Sequence, residues 1–82
     1  MNAPVPTTDF AVRGDHITLD ALLKVCGLVP SGGAAKAAIG AGEVIVDGEV
    51  EHRKTRKLRP GAEVRFGGEC IRIVAEPGDT PA

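Results

Sequence analysis

Five cations crowd the stretch HRKTRKLR at residues 52–59. Arg53, Lys54, Arg56, Lys57 and Arg59 stand within seven positions, with no acid among them. The chain has 82 residues and a formal net charge of −1, with ten Lys and Arg against eleven Asp and Glu. Half of the positive charge therefore lies in one short run. The other five cations face all eleven acids, which leaves the rest of the chain at −6. The field near a surface follows local charge rather than the total, so such a run is an electrostatic footprint for a polyanion. A solvated surface loop is the competing explanation for any short basic run.

A second feature is Ser31-Gly32-Gly33, followed one turn on by Lys36. Two glycines in the first turn of a helix weaken it, each by ~1 kcal/mol relative to alanine. Residues without side chains at a helix N-terminus expose backbone N–H groups that attract phosphate, and Lys36 adds a positive charge nearby. The same glycines could equally let a short connection pack closely, and the residues leave both readings open. SGGAAK is not a nucleotide-hydrolysis loop. The preceding glycine is missing, and the lysine comes four residues after the first glycine.

Little points to an enzyme. His16 and His52 have no visible nucleophile partner, and the carboxylates are scattered over turns and strand ends. No dinucleotide fingerprint or metal-ligand spacing is present, so no catalytic residue, cofactor or metal is expected. Cys26 and Cys70 lie far apart without C-x-x-C or Cys/His spacing. Both read as small buried hydrophobes with reduced thiols, and a disulfide has weak support. The start, MNAPVPTTDF, lacks the basic region and apolar run of a secretory signal. No segment reaches the ~18–20 apolar residues that span a bilayer. These features predict a cytoplasmic protein with no membrane partner. The aromatic residues are Phe10 and Phe66, with no Trp or Tyr. A chain so poor in rings offers no stacking platform for splayed bases. A nucleic-acid ligand would be held through backbone and shape by Arg and Lys, which favours structured RNA or a duplex–loop junction.

The elements that must position these residues follow from spacing. A chain this short makes one small domain, expected over 8–75 with flexible tails at 1–7 and 76–82. TLDALLKVCGLVPS predicts a helix capped by Thr18, with Asp20 in its first turn and Leu19, Leu22, Leu23 and Cys26 on one apolar face. Gly27 suits a left-handed residue after that helix, Leu28 folds back on Leu23, and Pro30 prevents continuation. Ser31 opens a second helix over GGAAKAAIGAG, ended by Gly40 or Gly42. Its inner face is Ala35, Ala38 and Ile39, and Lys36 points away. EVIV and EV flank Asp47-Gly48 as a hairpin. A plain two-residue turn would put Val44 and Val46 on the face of Glu51 and Glu49. A bulged turn pairs Val44 with Val50 and keeps that face apolar, so the bulge is expected. EVRF and ECIRIV form a second hairpin around Gly67-Gly68 with Val64 facing Ile71. Pro60-Gly61 marks a tight turn, and DFAVR at 9–13 adds an edge strand. The fold class is α+β: two packed short helices on an antiparallel, hairpin-rich sheet. Leu19, Leu22, Leu23, Ile39, Val44, Leu58, Val64 and Ile71 are the expected core.

Taken in order and spacing, LLK before the glycine, SGGAAKAAIGAGEVIVDGEVE and RKTRKLRPG resemble the S-four RNA-binding domain family. The small stand-alone bacterial members, the YbcJ-like group, look most similar. The match covers roughly 10–74. The resemblance implies an RNA-binding module with the alpha-L motif, in which RNA is gripped along the second helix and the adjoining basic strand or loop. Carried onto this chain, those positions are Ser31, Lys36, Arg53, Lys54, Arg56 and Lys57. Many members have an arginine directly after the serine, where this chain has Gly32. One expected RNA contact is thus absent, as in the glycine-rich stand-alone group. Asp47 replaces the common turn asparagine, a change the turn tolerates.

The resulting expectation is a non-catalytic domain that binds structured RNA, ribosomal or transfer RNA among the candidates. Arg53, Lys54, Arg56 and Lys57 would contact phosphates. Ser31, Gly32, Gly33 and Lys36 would form the second edge of the footprint, and the places of Arg59 and His52 are left open. The domain is expected to be a monomer. The alternative is a protein-interaction module whose basic loop docks an acidic partner in a ribosome-associated or RNA-processing assembly.

Overall fold

The computed structural model describes residues 7–76. Of the tails expected at 1–7 and 76–82, all but Thr7 and Glu76 lie outside the described residues. Thr7 opens strand β1, and Glu76 follows the last strand. The elements in chain order are β1 (Thr7–Val12), β2 (Ile17–Thr18), α1 (Leu19–Val25), α2 (Gly32–Gly40), β3 (Ile45–Val46), β4 (Glu49–Val50), β5 (Lys57–Leu58), β6 (Glu63–Phe66) and β7 (Glu69–Ala75). Five strands form one sheet in the order β1-β7-β6-β3-β4, and β2 pairs with β5 in a separate two-stranded ladder.

Alternation builds the sheet. Val64 stands opposite Ile71 and Val46 opposite Val64, so β3, β6 and β7 present one apolar face. Arg65 and Cys70 pair on the other face. The two helices close the apolar face. All eight expected core residues are buried, at 2% exposure or less. Val12, Val29, Val46 and Ile73 join them. Cys70 is buried, Cys26 is half-buried, and both thiols are free.

The helix ends obey local rules. After α1, the Leu28 N–H donates to Leu23 O at 2.9 Å and the Gly27 N–H to Lys24 O at 3.1 Å. Gly27 takes φ +73°, which completes a Schellman ending. The chain leaves α2 in the same way: Glu43 N–H donates to Ala38 O and Gly42 N–H to Ile39 O, both at 3.1 Å. Gly40 is the last residue of that helix, and Gly42, at φ +78°, takes the left-handed position beyond it.

Three expectations need correction. The sheet is mixed, because β1 runs parallel to β7, with Phe10 opposite Ile73 and Val12 opposite Ala75. Nearly the whole chain separates these strands, so no hairpin dictates their direction. The Asp47-Gly48 turn is a plain two-residue turn rather than a bulge: Ile45 pairs with Val50 and Val46 with Glu49. Asp47 and Gly48 take φ +51° and +85°, the left-handed pair that a tight hairpin matched to strand twist requires. Glu51 therefore shares the face of Val44 and Val46, and its carboxylate must find partners there. Finally, Thr18 occupies the N-cap position of α1, but its side chain makes no capping hydrogen bond. Backbone carbonyls from a distant segment replace it.

Leu58 couples the short β2–β5 ladder to the core, and it is fully buried. Truncation to alanine leaves a cavity in a thin core. Leu58→Ala is expected to cost about 2–5 kcal/mol of unfolding free energy in a urea titration. A cost under about 1 kcal/mol would show that the ladder does not depend on this side chain.

Candidate nucleic-acid interface

The basic run is held by its backbone. A helix begins with N–H groups that lack intrahelical acceptors. In α1 two of these are taken by the run itself: Leu19 N–H donates to Arg56 O at 2.9 Å, and Asp20 N–H donates to Lys54 O at 3.0 Å. Arg56 N–H closes a turn onto Arg53 O at 3.2 Å. Lys57 then pairs with Thr18 and Leu58 with Ile17. The carbonyls of Lys54 and Arg56 are thus committed to α1, while the side chains of Arg53, Lys54, Arg56 and Lys57 are exposed. Asp20 lies beneath the run. It keeps one carboxylate oxygen buried without a hydrogen-bond partner among the described residues, at the helix end where the dipole favours negative charge.

The five cations are not equivalent. Arg56 donates from Nη1 to Glu51 Oε1 at 2.8 Å, and its Nη2 lies 3.9 Å from Asp47 Oδ2. Arg59 Nε lies 3.5 Å from Asp15 Oδ2, whose other neighbour is His16 Nδ1 at 3.4 Å. Among the described residues, the side chains of Arg53, Lys54 and Lys57 have no carboxylate within 4.0 Å. Arg53, Thr55, Arg56, Lys57 and Arg59 line one open depression, and a neighbouring one adds Asp47, Pro60, Gly61 and Ala62. The Pro60-Gly61 turn, closed by Ala62 N–H to Arg59 O at 3.0 Å, bounds the run at this end.

Glu51 organises the other end. Its carboxylate accepts from the Arg53 backbone N–H at 3.1 Å through Oε2 and from Arg56 through Oε1. The Arg53 N–H is the main cause that holds this carboxyl below the usual range, and Arg56 acts in the same sense against the opposing effect of burial. Glu51 and Asp47 are not among the site residues expected from the sequence, where they figure only in the hairpin turn. The available signal was the clash of Glu51 with the apolar alternation of the hairpin. Asp47 also ties the turn to β6, accepting from Glu63 N–H at 2.9 Å through Oδ1.

The other expected edge lies apart from the run. Ser31 caps α2, its Oγ accepting from Ala34 N–H at 3.1 Å. A β-carbon on Gly32 would meet nothing within 4 Å, and one on Gly33 only Ser31 Oγ at 3.8 Å. Close packing therefore does not require either glycine. Lys36 is exposed on α2 and has no carboxylate within 4.0 Å among the described residues. His52, where the run begins, sits beyond the opposite end of the helix: a β-carbon on Gly42 would lie 3.3 Å from its Nε2. Nine residues of α2, ~13 Å at 1.5 Å per residue, separate the two ends, with Lys36 between them. The structure brings 53–57 together on one loop and leaves Ser31, Gly32 and Gly33 at the far end of α2.

Other chemistry is not organised here. Among the described residues no group of three or more His, Cys, Asp or Glu could hold a metal ion. Burial first, and then the charge of Glu69, push the Cys26 thiol up, away from a reactive thiolate. Among the described residues no helix is long and apolar enough to cross a membrane.

The chain is similar to known proteins in sequence and in fold. A family model described as the S4 domain matches residues 10–74. An Escherichia coli protein named "Putative RNA-binding protein YbcJ" is 47% identical over 60 residues, covering 73% of this chain and 86% of that protein. A Bacillus subtilis protein named "Probable ribosome maturation protein RlbA" is 40% identical over 59 residues, covering 72% and 83%. The solution structure of Escherichia coli YbcJ, described as revealing an alfaL motif involved in RNA-binding, superposes with a TM-score of 0.60 at 38% identity. It covers 89% of this chain and 91% of that one.

The lowered pKa of Glu51 has a pH signature. A carboxyl with a depressed folded-state pKa adds stability that is present above its unfolded value and lost as pH falls through the folded one. At pH 7 the protein is expected to melt above Glu51→Gln. That gap should hold down to the ordinary value near 4.5 and close below it. Thermal melts of both proteins across pH 3–7 check this, and a gap independent of pH would contradict it.

Proposed function

The chain belongs to the S4 domain family, and from that premise we propose that it is a non-catalytic RNA-binding protein that grips the phosphate backbone of structured RNA. The observation that carries the reading is the exposed set Arg53, Lys54 and Lys57. These cations have no carboxylate partner among the described residues, on a loop whose backbone is tied to α1. Cations on a loop with a tethered backbone suit a polyanion of defined shape, because little loop order is lost on binding. The shortage of aromatic rings argues for backbone and shape recognition rather than base stacking. The names of the relatives from Escherichia coli and Bacillus subtilis support RNA, and the second makes ribosomal RNA the first ligand to try.

Lys36, with the helix start at Ser31, Gly32 and Gly33, forms the second edge of the proposed footprint. The open space at both glycines supports this, since a backbone without β-carbons admits a phosphate close to the N–H groups. An RNA that touches both edges must span the length of α2, which a helix or a folded junction does and a single phosphate group does not.

The test is the affinity for a ribosomal RNA hairpin across a salt series. Three or four phosphate contacts predict a log–log slope of about −2 to −4. A variant with Arg53, Lys54 and Lys57 changed to alanine, which leaves the Arg56–Glu51 pair intact, should bind weakly with a flattened slope and keep its thermal midpoint. No binding at low salt, or an unchanged slope in the variant, overturns the reading and directs the search to an acidic protein partner. Gly33→Ala separates the second edge from the first. It should raise stability by up to ~1 kcal/mol while weakening RNA binding. Unchanged affinity would remove the helix start from the footprint.

A further inference from the structure

A carboxylate set among phosphate-binding cations should repel the ligand, yet Glu51 stands at the base of the basic loop with its side chain only 13% exposed. Its backbone extends the β3–β4 ladder, with Glu51 N–H donating to Val44 O at 3.0 Å. From that fixed point the two carboxylate oxygens reach different parts of the loop. Oε2 takes the Arg53 backbone N–H two residues on, and Oε1 takes the Arg56 guanidinium five residues on. The carboxylate therefore staples the start of the loop to its middle. Asp47 approaches the other Nη of Arg56, so this arginine is held between two acids.

We propose that Glu51 is the positioning residue of the RNA-binding loop, acting through Arg53 N–H and Arg56, and that Arg56 serves as its partner rather than as an independent phosphate contact. This deepens the RNA-binding reading and rests on it. With the staple in place, the Lys54 and Arg56 carbonyls meet the α1 N–H groups, and Arg53, Lys54 and Lys57 project outward as a set. The negative charge of Glu51 is offset by Arg56, so the outward set keeps its field. Without the staple, the loop must be ordered when RNA binds, and affinity falls by the free energy of that ordering.

Charge and positioning predict opposite outcomes, which makes the test decisive. Affinity for an RNA hairpin at fixed salt is measured for the wild type, Glu51→Gln and Glu51→Ala. If Glu51 contributes only its charge, both variants bind equally and more tightly than the wild type. Under the proposal the wild type binds tightest. Gln is intermediate, because its amide oxygen can accept one of the two hydrogen bonds, and Ala is weakest, by about 3- to 10-fold for the ordering of one or two side chains. Arg56→Ala added to Glu51→Ala should cause little further loss. A further loss with a shallower salt slope would show Arg56 on phosphate and overturn its assigned role. In the absence of RNA, the Arg53 amide should exchange faster in Glu51→Gln while the Leu22 and Leu23 amides stay protected. Equal or tighter RNA binding by the variants overturns the role of Glu51 alone. Failure of the wild type to bind RNA at low salt overturns the underlying reading, and this inference with it.

Discussion

Two backbone hydrogen bonds join the halves of this molecule: Leu19 N–H to Arg56 O and Asp20 N–H to Lys54 O. Each satisfies a donor that a helix cannot satisfy for itself. Each also fixes a carbonyl in a loop that otherwise has few contacts. A side-chain cap from Thr18 would have satisfied one such donor and left the basic run to find its own conformation. By capping α1 with the run instead, the fold makes the first helix and the cationic surface one structural unit. Leu58, buried immediately after, keeps the run from peeling away.

The second constraint is the Asp47-Gly48 turn. A tight turn sets the register of β3 against β4, and that register decides which residues face the helices. It puts Glu51 on the side of Val44 and Val46, a placement that apolar patterning alone disfavours. Because β4 is an edge strand, its Val50 can stay half-exposed at small cost, and Glu51 can reach beyond the sheet to the loop. A local conflict between pattern and register is thus resolved by giving the misplaced carboxylate two donors. Such conflicts are where functional constraint is expected to show in an otherwise consistent sequence.

Most of the frame was legible from spacing. The eight core positions, the Schellman turn at Gly27, the Gly67-Gly68 hairpin and the Val64–Ile71 pair all follow from local periodicity and turn chemistry. What was not legible depends on contacts between distant segments. The parallel pairing of β1 with β7 has no local signal, because strand direction across a long connection is set by packing. The capping of α1 by residues 54 and 56 is a meeting of segments more than 30 positions apart. The expected bulge does not form, because the turn geometry that Asp-Gly prefers outweighs the burial of one face. The candidate cations were legible as a group but not as individuals. Their division into paired and unpaired members needs Glu51, Asp47 and Asp15 in place.

That division gives the charge separation a physical purpose. The body of the protein is acidic, but at physiological salt its field fades over ~8 Å, so distant acids neither cancel nor reinforce the loop. Only acids in contact matter, and they pair with two of the five cations: Asp15 with Arg59, and Glu51 and Asp47 with Arg56. Arg53, Lys54 and Lys57 have no carboxylate within 4.0 Å among the described residues. The result is a narrow positive window rather than a broad basic face. A broad face attracts any polyanion in proportion to its charge density. On the proposed reading, a few unpaired cations on a tethered loop would demand phosphates at a particular spacing and direction, so that shape as well as charge would decide what binds. The acids around the run therefore sharpen the surface they border, and a nearly neutral chain can carry a strongly local cationic site without becoming adhesive elsewhere.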